Sequence, residues 1–86
     1  MDDYIFVSLL GFIFKPTIQV RKGDMVTEYQ CPAKILPETI LGLCQKENIK
    51  EVKIRGNKSF AEKYKVDILS AAKEKYNNTS INIEVI

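Results

Sequence analysis

The sequence predicts a mixed α/β fold of two layers, a five-stranded sheet with both helices on one face. Three observations lead there. The first third of the chain holds three β-prone runs separated by short connections, the remainder alternates helical and strand periodicity, and the later strands are apolar only at every second residue. The element order is therefore β-β-β-α-β-α-β.

The first strand spans about residues 4–14, which from Ile5 onward are apolar apart from Ser8 and Gly11. Residues 17–21 alternate around Ile18 and Val20, and residues 25–30 form a β-prone stretch with Val26 and Tyr29. Lys15-Pro16 and Lys22-Gly23-Asp24 are short enough to imply antiparallel hairpins, so these strands make a meander. A helix follows over about 37–47. Pro37 suits its first turn, where the missing N–H would be unpaired anyway, and Glu38 favours the positive end of the dipole. Ile40, Leu41, Leu43 and Cys44 form its buried stripe, and Asn48 is a left-handed stop after which Ile49 folds back.

Val52 and Ile54 then alternate with Glu51, Lys53 and Arg55 in a strand over 51–55. The second helix, about 60–76, buries a combination of Phe60, Ala61, Tyr64, Ile68, Leu69 and Ala72 before Asn77 and Asn78 break it. Ser59-Phe60-Ala61-Glu62 reads as its capping box. The last strand spans about 80–86, with Ile81, Ile83 and Val85 alternating with Asn82 and Glu84. Helical connections imply parallel pairing with right-handed crossovers, which gives the sheet order 3-2-1-4-5. Lys53, Arg55, Asn82 and Glu84 place one face in water, leaving the other for both helices.

Length and composition bound the function. A chain of 86 residues is expected to be a single domain, 1–86, and buries only about 60–65% of its unfolded surface, which leaves little room for a large internal active site. With 45% hydrophobic and 28% charged residues it has the composition of a globular domain, and a net charge of +2 does not by itself call for nucleic acid. Abundant lysine and isoleucine with no tryptophan is the bias of AT-rich bacterial, phage or mobile-element genes. Asp2 and Asp3 precede the first apolar run where a signal peptide carries positive charge, and that run is far shorter than the roughly 20 residues that span a bilayer. A cytoplasmic chain without a membrane segment is the expectation. Cys31 and Cys44, with no histidine, cannot build a four-ligand zinc site; reduced thiols and no cofactor are expected.

Two sets of residues are candidates for recognition. In the first strand Ile5, Val7, Leu9 and Ile13 point one way and Phe6, Leu10, Phe12 and Phe14 the other, unless a bulge at Gly11 changes the parity. A central strand of this kind places large apolar groups on the side without helices. They form either a surface for self-association or a partner, or a spine capped by lysine and arginine stems. Ile83 and Val85 belong to a C-terminal edge that can pair with a second copy, blunted in part by Asn82 and Glu84. The second set is basic: Lys50, Lys53, Arg55, Lys58, Lys63 and Lys65, interrupted by Glu51 and Glu62. A solvated surface is its default meaning, and an anion or nucleic-acid site the alternative. The strand-to-helix turn at Gly56 lacks Walker A spacing and repeated glycines, and the Glu62 carboxylate would repel phosphate. Tyr4, Tyr29, Tyr64 and Tyr76 are not spaced as a base-stacking platform.

Three antiparallel strands followed by α-β-α-β resembles the core of the ribonuclease H-like superfamily, which includes Holliday-junction resolvases and the halves of actin-like ATPases. The resemblance covers most of the chain and lies in element order. It implies two metal ions held by several carboxylates, one an aspartate in the first strand and one at or near the fourth. Here the first strand offers Ser8 and Gly11, the fourth ends in Arg55-Gly56, and Asp2 and Asp3 precede the first strand, so Glu38 is the one carboxylate near a position the family uses. No catalytic, cofactor or metal residues are assigned and no enzyme is expected. The leading expectation is a non-catalytic module that binds itself as a homodimer, or another protein. A nucleic-acid-binding accessory protein comes second and a divergent metal-dependent nuclease third.

Overall fold

In the computed structural model, which describes residues 3–10, 15–77 and 80–86, the elements follow the expected order. They are β1 (Tyr4–Ser8), β2 (Thr17–Lys22), β3 (Met25–Gln30), a single 3-10 turn (Ala33–Ile35), α1 (Leu36–Glu47), β4 (Glu51–Arg55), α2 (Lys58–Lys75) and β5 (Asn82–Val85). The five strands form one mixed sheet in the order β3-β2-β1-β4-β5. β1 lies antiparallel to β2 and parallel to β4, β3 is antiparallel to β2, and β5 is parallel to β4.

Strict alternation makes the sheet one-sided. Ile5 and Val7 of β1, Ile18 and Val20 of β2, Val52 and Ile54 of β4, and Ile83 of β5 are all buried, and their sequence neighbours are not. The buried set joins Leu36, Ile40, Leu41 and Cys44 of α1 and Ala61, Ile68 and Ala72 of α2 in one core. Both helices therefore cover the same face. Leu43, expected in the α1 stripe, is only half-buried, and Leu36 takes a core place instead.

The connections explain the boundaries. Gly23 at φ 61° makes the first corner of the β2–β3 turn, and its N–H donates to Asp3 Oδ1 at 3.0 Å. Pro37 sits in the first turn of α1, and Asn48 ends that helix in the left-handed region at φ 56°. The Ile49 N–H then donates to the Cys44 carbonyl at 3.0 Å as Ile49 folds into the core. Gly56 has φ 154°, and a Cβ there would lie 2.6 Å from the Leu9 Cβ, so only glycine lets the end of β4 pass the end of β1.

Three sequence expectations need correction. The first strand ends at Ser8 rather than at residue 14: the Leu9 N–H still reaches the Arg55 carbonyl (2.8 Å), but Leu10 bends away. The parity around Gly11 and the orientation of Phe12, Ile13 and Phe14 lie outside the described residues. Second, α2 begins at Lys58, and its N-cap is Asn57, whose side chain accepts from the Ser59 and Phe60 N–H groups at 3.0 and 3.4 Å. The Ser59–Glu62 capping box does not form because an amide oxygen earlier in the chain has taken the first free donors. Third, Phe60 and Leu69 are 41% and 38% exposed, so the buried stripe of α2 is built on small residues and Ile68.

Candidate functional site

The face without helices is built from Thr17, Gln19 and Arg21 of β2, Tyr4, Phe6 and Ser8 of β1, and Lys53 and Arg55 of β4, in lateral register. Its two aromatic rings are not bare. The Lys53 ammonium lies 4.5 Å from the centroid of the Tyr4 ring and the Arg21 guanidinium 5.6 Å from it, cation–π distances that place both stems over apolar surface. Gln19 Oε1 accepts from Arg21 Nη2 (2.9 Å), and Gln19 Nε2 donates to Glu28 Oε1 (3.2 Å), carrying the polar lattice across to β3. Phe6 sits half-buried between Gln19 and Lys53, its cross-strand neighbours. Of the expected interaction residues Leu10 alone is a freely exposed apolar group among those described, at 66%. Ile83 belongs to the core, and Val85 is half-buried against it, so neither contributes to a bare surface at the C-terminal edge.

The basic residues do not converge. Lys53 and Lys65 share a shallow groove of about 840 Å³ that runs past Tyr4 and β5, but Asp3, Glu51, Glu62 and Glu84 line it as well. Carboxylates thus outnumber amines around two of the six candidate basic residues. Lys50 lines a different recess, of about 500 Å³, with Leu41, Cys44 and Asn48 at the end of α1 and Tyr76 and Asn77 after α2. Arg55 ends β4, Lys58 opens α2 and Lys63 is exposed on that helix.

Among the described residues no three or more His, Cys, Asp or Glu side chains are grouped to hold a metal ion. Glu38 is engaged otherwise: its carboxylate accepts from Lys75 Nζ at 3.2 Å, tying α1 to α2. Its own backbone N–H and Lys75 hold that carboxyl below the usual range. Cys31 and Cys44 are free and buried, and desolvation pushes the Cys44 thiol up to about 11 and raises that of Cys31 as well. Thiols held protonated in this way are inert rather than nucleophilic.

What sequence reasoning missed is β3. Its residues Met25 to Glu28 are exposed on both faces, with Met25 at 72% and Val26 at 55%, and Tyr29 packs against the core. Its one strand neighbour is β2. In a two-residue hairpin the pair flanking the loop, here Lys22 and Met25, is a hydrogen-bonded pair and the ladder alternates from there. Val26, Glu28 and Gln30 therefore direct their N–H and C=O groups outward from the sheet. The signal for this was present in the order 3-2-1-4-5, which puts β3 at the margin and sends the helix that leaves it, α1, to β4 three strands away. No family model matches the chain, and neither a curated protein nor a solved structure matches it significantly.

Proposed function

We propose that this chain is a non-catalytic protein-interaction module that docks an extended segment onto the outer edge of β3. One observation carries the reading: a six-residue strand at the sheet margin, exposed on both faces for most of its length, with outward main-chain donors and acceptors. The devices that natural edges use against pairing are sparse there. β3 contains no proline and no lysine, and its one charge, Glu28, is drawn sideways by Gln19. Nucleic acid is the weaker reading, because the six basic residues are scattered and the groove holding two of them is lined by more carboxylates than amines.

The test uses peptides selected from a random library on the purified chain. Bound peptides are expected to slow hydrogen exchange at the Val26 and Glu28 amides. Glu28→Pro, which removes an outward N–H without touching the β2 ladder, is expected to abolish binding, while Glu28→Thr retains it. Binders that protect β4 or α2 instead, binding that survives Glu28→Pro, or a chain that is monomeric and still selects no binder would each overturn the proposal.

A further inference from the structure

We infer that the segment occupying the β3 edge is β3 of a second copy of this chain, paired antiparallel across a two-fold axis that passes beside Thr27. This rests on the reading of β3 as a docking edge and adds the partner and the register. A two-fold perpendicular to the sheet keeps each face continuous, so residues meeting across the new seam must lie on the same face. Met25, Thr27 and Tyr29 stand on the helix side, being in register with Lys22, Val20 and Ile18; Val26, Glu28 and Gln30 stand on the open side with Arg21, Gln19 and Thr17. The seam can therefore centre on only a few residues.

Charge chooses among them. Centred on Glu28, the seam sets two carboxylates face to face. Centred on Val26, it sets Glu28 against the partner's Asp24, twice. Like charges directly opposite destabilise a sheet. Centred on Thr27, it sets Thr27 against the partner's Thr27, Met25 against the partner's Tyr29, and Val26 against the partner's Glu28, with no like-charge pair. This register also uses the strand's full length, and a thioether beside an aromatic ring is a favourable contact that covers the most exposed apolar side chain of β3. It makes Val26 and the partner's Glu28 the hydrogen-bonded pairs, which are the residues whose main-chain groups already face outward. Centres further out pair fewer residues. Because the register is its own mate under the two-fold, the contact closes as a dimer with a ten-stranded sheet and both helical layers on one side, rather than propagating.

The experiment combines sedimentation of the full chain over a range of concentrations with single-cysteine cross-linking. A pair of residues at a non-hydrogen-bonded position lies about 4.5 Å apart between Cα atoms, within disulfide range. Thr27→Cys is therefore expected to give a covalent dimer on oxidation, while Val26→Cys, Glu28→Cys and the unaltered chain with its buried Cys31 and Cys44 do not. Glu28→Pro deletes two inter-chain hydrogen bonds per dimer and is expected to weaken dimerisation roughly 30-fold. A dimer that cross-links through Glu28→Cys instead would overturn the register and leave the docking edge standing. A chain that stays monomeric at every concentration yet protects β3 amides on binding library peptides would overturn the second copy alone. A dimer indifferent to Glu28→Pro would overturn both.

Discussion

The two margins of the sheet are both short strands with a single strand neighbour, yet they end in different states. At one margin β5 (NIEV) buries Ile83 and half-buries Val85 beneath α2, and only Asn82 and Glu84 meet water. At the other, β3 (MVTEYQ) exposes both an apolar pair and its polar residues. The difference lies in how each strand is connected. A helical crossover between parallel neighbours must lay its helix across the strands it joins, so β4 and β5 acquire α2 as a consequence of topology. β3 is entered by a two-residue hairpin and left by α1, which runs to β4 three strands away, so β3 has β2 as its one strand neighbour and only Tyr29 against the core. Edge exposure is thus a property of connections more than of side chains.

Substitutions beneath the helices and on β3 should differ widely in cost. Ile54 is fully buried under the helices, and Ile54→Ala should cost about 3–4 kcal/mol in urea unfolding. Val26→Ala on β3 should stay within about 0.5 kcal/mol in protein dilute enough to be monomeric. Comparable losses at both sites would mean that β3 is covered after all. A second test probes the covered side by pH. Burial holds the Cys44 thiol protonated up to about 11 against 9.0 for an ordinary thiol, and the raised value fixes the sign. Its contribution is complete below pH 9 and is lost as pH rises from 9 toward 11, a decline of about 2 kcal/mol that should be shallower in Cys44→Ala. An unchanged slope in that variant would place the thiol in water. The smallest effect lies at the start of α2. Asn57→Ala removes the N-cap and should cost about 1 kcal/mol, loosening amides of the first helical turn while β3 exchange is unaltered. Ser59→Ala should be nearly neutral, and the reverse ranking would restore the capping box.

Much of the architecture was legible in the chain because it depends on local chemistry. Pro37, Glu38 and Asn48 bracket α1 through the fixed φ of proline, the helix dipole and the left-handed tolerance of asparagine, each readable at one position. The alternation in β2, β4 and β5 announced a sheet with one dry face. The cap of α2 was less legible: Asn57 and Ser59 are both good N-caps, and which one acts depends on where Gly56 must stand to clear Leu9. The candidate site was the least legible. Phe6 and Leu10 share a face by spacing, yet Phe6 lies half-covered between Gln19 and Lys53 and Leu10 lies past the end of the strand, both outcomes of lateral register. The basic residues near 50–65 look contiguous in sequence, but a strand, a turn and a helix send them in different directions.

By itself the sequence determined the number, order and pairing sense of the strands and the face on which the helices lie, because these follow from periodicity, connection length and the handedness of crossovers. Tertiary structure alone decided that Phe6 is half-covered between Gln19 and Lys53, that carboxylates gather around Lys53 and Lys65, and that Glu38 is engaged by Lys75. Those outcomes depend on which residues distant in the chain come to lie side by side, and a side chain's exposure or charge environment is set by such neighbours rather than by the residues beside it in sequence.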